Sequence, residues 1–274
     1  MGRRGCKLAA VERKGKEVTD LDDAYANMPY IPGGADYPAR WAAAAAEYRD
    51  EAMMVQVGYG PGVRRQIDLF LPMGGQKGLL IFVHGGYWMK FSPQDFSHLA
   101  KGAVEAGWVV AMPGYDLAPD MRIEQITALI AMAVAELARR FSGPIRLAGH
   151  SAGGHLVARM LAPGMLPDEV ASRIEKVVPI SPVSDLTPLL RTSMNETLRL
   201  DAAEAGRESP VRQPVPGVPV HVWVGGDERP AFLEQARGLA EAWTCPLTIE
   251  PGRHHFDVIE GLEGESPLLD AVIG

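Results

Sequence analysis

The fold is decided by one stretch, Pro144-Ile-Arg-Leu-Ala-Gly-His-Ser-Ala-Gly-Gly-His155. Pro144–Ala148 reads as a short buried strand, and residues 153–161 read as a helix. The turn between them, Gly149-His150-Ser151-Ala152-Gly153, fits the pattern G-x-S-x-G. A strand-to-helix turn this tight has no room for side chains two residues before and two after the serine, so glycine is needed at both places. Such a turn holds Ser151 at the edge of a sheet in a strained conformation. Ser151 is therefore the candidate nucleophile.

Outward from this turn, strands and helices alternate. Gly78-Leu-Leu-Ile-Phe-Val83 is a short apolar run of the kind a buried parallel strand shows. Residues 108–112 form a second, 176–180 a fourth after the 144–148 run, 219–224 a fifth and 247–250 a sixth. Pro179 is awkward for a central strand position. Helices are predicted over 41–48, 94–106, 123–140 and 230–243. The 123–140 helix carries Ile123, Ile126, Leu129, Ile130, Val134 and Leu137 on one stripe. Residues 65–71 alternate as a half-exposed strand, and two short helices close the chain. This alternation predicts an α/β fold, a mostly parallel twisted sheet with helices on both faces. Residues 183–213 break the rhythm after a strand's C-terminal end, where open α/β sheets bind ligands, and read as a small cap. Residues 1–18 read as a disordered tail, which leaves 19–274 as one domain.

A serine is a poor nucleophile without a base, and the base needs an acid to orient it. Asp227 follows the strand-to-loop junction Val222-Trp-Val-Gly-Gly226, and His254 and His255 follow the last strand. The order serine, acid, histidine is that of α/β-hydrolases. Glu228 is a rival acid and Asp185 a weaker one; Asp227 is preferred as nearer the strand. Spacing alone does not separate the two histidines. His84-Gly85-Gly86 follows the first buried strand and resembles the oxyanion loop of lipases and esterases. Fixed backbone N–H groups there would hold the negative charge that builds on a carbonyl oxygen under attack. The expected donors are the N–H groups of Gly85, Gly86 and Ala152, with His84 orienting the loop.

Composition removes other classes. The 274 residues are 47% hydrophobic and 22% charged, ordinary for a globular protein. With 27 Lys+Arg against 34 Asp+Glu the net charge is −7, which disfavours a nucleic-acid partner. The two cysteines, Cys6 and Cys245, exclude a disulfide framework and a cysteine-based zinc site. No run approaches the roughly 18 apolar residues of a membrane span, and the N-terminus lacks a signal-peptide core; a cytoplasmic, non-membrane protein is expected. His84, His150, His155, His254 and His255 gather near one edge, but no H-E-x-x-H occurs and no metal is expected.

The motifs His84-Gly-Gly-Tyr-Trp88, Tyr115-Asp-Leu-Ala-Pro119, Gly149-His-Ser-Ala-Gly-Gly-His155, Ser184-Asp-Leu-Thr-Pro-Leu189, Gly225-Gly-Asp-Glu228 and His255-Phe-Asp257 resemble the kynurenine formamidase (arylformamidase) branch of the α/β-hydrolases. The likeness covers about residues 20–262. It implies His255 as the catalytic histidine and supports Asp227. It implies acyl transfer from an N-formyl arylamine such as N-formylkynurenine, a step of tryptophan breakdown, with no cofactor and a small acyl pocket. Tyr87 and Trp88, beyond the oxyanion loop, would flank the aromatic leaving group, and Tyr115 is a further candidate. The partner is then a small molecule, and a homodimer is allowed. Ser181-Pro-Val-Ser184 departs from the pattern, with proline where glycine is expected after the serine. A carboxylesterase with the same machinery and a hydrolase fold serving only as a binding module are the competing readings.

Overall fold

The structure is a computed structural model that describes residues 20–274; the tail expected over 1–18 lies outside the described residues. Eight strands form one sheet: β1 (Met54–Gly58), β2 (Gln66–Phe70), β3 (Leu79–Val83), β4 (Val109–Pro113), β5 (Ile145–His150), β6 (Ile174–Ile180), β7 (Val222–Gly225) and β8 (Leu247–Glu250). Their order is β1-β2-β4-β3-β5-β6-β7-β8. β2 runs antiparallel to β1 and β4, and the remaining pairs are parallel. The principal helices are α1 (Tyr37–Glu51), α2 (Ile123–Arg140), α3 (Ala152–Arg159), α4 (Ala202–Glu208), α5 (Pro230–Trp243) and α6 (Pro267–Ile273).

The period-two geometry of the strands divides the core into two layers. Leu79, Ile81 and Val83 share one buried cluster with Ile126, Ile130 and Val134 of α2, Leu156 of α3 and Phe232 of α5. Leu80 and Phe82 face the other way, among Trp41 of α1 and Leu268 and Val272 of α6. Both faces of β3 are buried, which is why it reads as a continuous apolar run. Among the described residues no helix is long and apolar enough to cross a membrane.

Two expectations change in detail. The exposed edge strand β1 has no counterpart among the strands expected from sequence; its burial is intermediate or absent along its length. The helix expected over 94–106 is broken into 3₁₀ turns, Pro93–Asp95 and Ser97–Ala100, and a short α-helix, Lys101–Glu105. Pro179 does lie in β6, between β5 and β7. The amides that β6 turns toward β7 belong to alternate residues: Val177 donates to Pro219 C=O at 3.0 Å and Ser181 to Trp223 C=O at 2.7 Å. Pro179 stands between them, where a donor is missing, and there the pairing lapses to an isolated bridge at Val177–Val220 with β7 starting at Val222.

The 183–213 segment is helical. It holds a 3₁₀ turn at Thr187–Arg191, a one-turn helix at Asn195–Leu198, α4, and a second 3₁₀ turn at Pro210–Arg212. Asp201 caps α4 by accepting the Glu204 N–H at 2.8 Å. One face of α4 carries two buried carboxylates a turn apart. Glu204 accepts from the Glu124 N–H and from the Arg122 guanidinium at the start of α2. Glu208 accepts from Arg159 Nε and Nη2, at 3.2 and 3.1 Å, and from Thr127 Oγ1 at 2.7 Å. The Glu208 C=O accepts from His155 Nε2 at 2.7 Å. The insertion is thereby fastened to the helix that follows Ser151.

Candidate active site

Six parallel strands deliver their C-terminal ends to one edge, and the sharpest turn there is the one after β5. Ser151 has φ +55° and ψ −115°, outside the basins a serine normally takes. The flanking glycines are there for space: a Cβ on Gly149 would lie 2.3 Å from Gly153 O, and one on Gly153 would lie 1.9 Å from Val83 O. Ser151 N–H donates to Ile180 C=O of β6 at 2.8 Å. Ala152 opens α3, so its N–H has no acceptor within the helix.

The His84–Gly86 loop, expected to hold the oxyanion, is ordered from beneath. A Cβ on Gly85 would sit 3.0 Å from Ser151 Cβ, so only glycine lets this backbone come so near the serine. Gly86 adopts φ +110°. His84 is buried, stacks on Tyr115 at 4.4 Å, and donates from Nδ1 to Gly85 C=O at 2.8 Å. Tyr115 OH donates to His84 C=O at 2.9 Å. Burial pulls the His84 imidazole down to about 4, so it is neutral at physiological pH. A trans peptide carries its N–H opposite its C=O. Fixing the Gly85 carbonyl on His84 therefore turns the Gly86 N–H to the other side.

The acid expected at Asp227 is corrected by the structure. Asp227 is exposed, and its backbone N–H donates to Arg253 C=O at 2.9 Å. The carboxylate that meets His255 is that of Glu228, one residue later, whose Oε2 accepts from His255 Nδ1 at 2.6 Å. A carboxylate at this distance only accepts, so Nδ1 carries the proton and the Nε2 lone pair is left to act as a base. The other Glu228 oxygen accepts from Gly225 N–H at 2.9 Å and from Ser181 Oγ at 2.5 Å. The Glu228 side chain is fully buried, and the turn at Gly225–Glu228 faces it inward while Asp227 faces solvent.

His254 points elsewhere. Its Nε2 meets Tyr37 OH at 3.2 Å, and its Nδ1 accepts from the Phe256 and Asp257 N–H groups at 3.2 Å. It orders the loop that carries His255. Buried His150 lies beside His255 with ring centres 4.7 Å apart, and burial, then the neighbouring imidazole, hold its pKa well below the ordinary value. Among the described residues no three His, Cys, Asp or Glu side chains are grouped to hold a metal ion.

Ser151, His255, Gly85 and Gly86 all line one cavity of about 390 Å³. Its walls are mostly apolar, with Tyr25, Trp41, Tyr87, Phe91, Phe96 and Phe256 among them. Of the three aromatic residues expected at the substrate, Tyr87 lines the cavity, with its hydroxyl donating to Tyr25 C=O at 2.6 Å. Trp88 and Tyr115 do not. Both are fully buried in the core; Trp88 packs edge-on to His155 and Tyr115 supports His84. Spacing to the oxyanion loop does not reveal which way the chain turns, and Tyr87 and Trp88 sit in a tight left-handed turn at φ +53° and +58° that sends their side chains apart. The sequence reading placed no site residue in the segment before α1, yet Asp22, Tyr25, Ala26, Asn27, Met28 and Pro29 line the cavity together with Ser193 and Met194 of the insertion. Asp22 accepts the Ser193 N–H and ties these two segments to each other.

With this geometry in place, four similarities bear on the chain. A family model described as the alpha/beta hydrolase fold matches residues 80–217. The kynurenine formamidase of Salmo salar is 30% identical over 238 residues, which is 80% of this chain and 81% of that protein. A solved structure from Silicibacter sp. TM1040, provisionally described as a thioesterase, is 55% identical, covers 93% of this chain and 99% of its own, and superposes with a TM-score of 0.91. An esterase of Pyrobaculum calidifontis shares the fold, at 17% identity and a TM-score of 0.67 over 90% of this chain and 94% of its own.

Proposed function

The chain is a hydrolase of the α/β-hydrolase family, kynurenine formamidase-like in sequence, and from that premise we propose that it is a serine hydrolase releasing a formyl group from an aromatic amine, as from N-formylkynurenine. The observation that carries this reading is the His255–Glu228 hydrogen bond on the wall of the cavity that also exposes Ser151.

The residues divide the chemistry as follows. Ser151 Oγ attacks the formyl carbon while its proton passes to His255 Nε2. Glu228 accepts from Nδ1–H, fixes the tautomer and stabilises the imidazolium. The negative charge on the former carbonyl oxygen rests on the N–H groups of Gly85, Gly86 and Ala152, which cost no reorganisation because the His84 contacts and the start of α3 already hold them. His255 gives its proton to the departing nitrogen as the C–N bond breaks. The formyl-enzyme remains, and a water deprotonated by His255 attacks it, releasing formate and restoring Ser151. The aromatic walls suit a planar leaving group, which stacks without hydrogen bonding.

The Silicibacter relative's description favours a second reading, thioester hydrolysis. Lys90 is the only lysine or arginine on the cavity wall among the described residues, a poor match for a carrier bearing several phosphates. The deciding measurement is kcat/KM for N-formylkynurenine against p-nitrophenyl acetate and acetyl-coenzyme A, with Ser151→Ala as control. The expected outcome is a ratio well above one for the formamide over both competitors and no turnover by Ser151→Ala. A ratio below one against either overturns the formamidase reading, and retained turnover in Ser151→Ala overturns the serine mechanism.

A further inference from the structure

The peptide at the C-terminal end of β6 touches both halves of the catalytic machinery. Ile180 C=O accepts the Ser151 N–H at 2.8 Å, and the next residue, Ser181, donates its hydroxyl to Glu228 Oε1. Ser181 is fully buried, does not line the cavity, and has φ +48°. That region of backbone space costs a serine about 1 kcal/mol that a glycine would not incur. The following residue is Pro182, so the sequence departure noted above falls on this same corner.

We propose that Ser181 is the positioning residue of the acid–base pair: its hydroxyl locks the Glu228 carboxylate in the rotation that presents Oε2 to His255. The strained backbone is what aims the hydroxyl. With Gly225 N–H on the same oxygen, Ser181 gives the buried carboxylate two fixed donors and leaves its second oxygen to the imidazole. Because Ile180 and Ser181 are consecutive, the nucleophile's turn and the acid are registered to one another through a single peptide of β6. The inference rests on the serine-hydrolase reading and not on the identity of the acyl group.

The test uses phosphonylation of Ser151 by a fluorophosphonate probe, which needs the same base but no natural substrate. Ser181→Ala and Ser181→Gly are each expected to slow labelling about tenfold or more, the loss usual for a hydrogen bond to a charged group. With any hydrolysed ester, kcat falls and KM stays put. Ser181→Gly is expected to melt at or above the temperature of Ser181→Ala, since it sheds the backbone strain; activity and stability then move apart, as a merely structural role would not allow. In a Glu228→Ala background, Ser181→Ala is expected to cost less than about twofold further, because the two residues act as a unit. Wild-type labelling speed in both Ser181 variants, or full additivity with Glu228→Ala, overturns the inference while leaving the hydrolase reading intact. Failure of the wild type to label at Ser151 overturns that reading and this inference with it.

Discussion

Asp227 and Glu228 are adjacent acids after the same strand, and one turn of backbone separates their fates. The Asp227 side chain is left in solvent, and Glu228 reaches inward to three donors. Glu228→Gln is expected to lower kcat/KM by roughly 10²–10⁴, since an amide can present the wrong partner to Nδ1. Asp227→Asn is expected to stay within about twofold of wild type. Steady-state kinetics on any turned-over ester checks both, and the reverse pattern would restore Asp227 as the acid. His84 acts one step further out. Its Nδ1–H anchors the Gly85 carbonyl, so His84→Ala frees the loop peptide and is expected to cost roughly 10–100-fold in kcat, less than the roughly 10²–10³-fold of losing an oxyanion donor outright. KM is expected to change little. The sharp turn at Ser151 and the close approach of the Gly85-Gly86 backbone were legible in sequence because their requirement is steric and local. The choice between two neighbouring carboxylates was not, because it depends on the rotation of a turn that spacing does not encode.

The same contrast holds for whole elements. The stripe of α2 and the apolar runs of β3 and β5 declare themselves because what they bury is apolar. The insertion over 183–213 looked aperiodic because the inward face of α4 is charged: Glu204 and Glu208 are buried there, each on an arginine from a different helix environment. Hydropathy counts such a face as solvent-exposed. The aromatic turn at Tyr87-Trp88 likewise gave no hint that its two rings part company. The charged face has a consequence for stability. Glu208→Ala leaves the Arg159 guanidinium, itself buried, without its carboxylate, and is expected to cost about 3–5 kcal/mol. Arg207→Ala removes only an exposed pair with Glu124 and is expected to leave the midpoint unchanged. Urea unfolding of the two variants separates these outcomes. Equal midpoints would show that the insertion is not fastened through Glu208.

At the scale of the molecule, the edge that carries the site also gathers buried imidazoles, and this sets how the fold responds to acid. Burial holds His84 and His155 down to about 4, from an ordinary 6.5. His98, beside Glu263, is held to about 4 by the same cause, and His150 is lowered too. In the unfolded chain these groups take up protons near pH 6.5; in the folded protein His84, His98 and His155 do so only near pH 4, and His150 only well below its ordinary value. Between those limits the unfolded state binds more protons, so stability rises with pH across the window and is lost as pH falls through it. Glu208 adds to the loss below its ordinary 4.5: burial pushes its carboxyl up, but Arg159, His155 and Thr127 outweigh that and hold it low. Asp68 and Glu263 oppose the trend, because burial raises both and a protonated carboxyl suits their sites. Their opposition sets in upward from their ordinary 3.8 and 4.5, whereas the loss through the histidines sets in downward from 6.5. The melting temperature is therefore expected to fall by roughly 10 °C or more between pH 7 and pH 4.5, with most of the loss below pH 6.5. Calorimetry over that range checks the shape. His98→Gln, at a residue that does not line the cavity, is expected to flatten the curve without touching Ser151 labelling at pH 7. A curve flat to pH 4.5 would mean that the buried imidazoles take up protons without unfolding the chain.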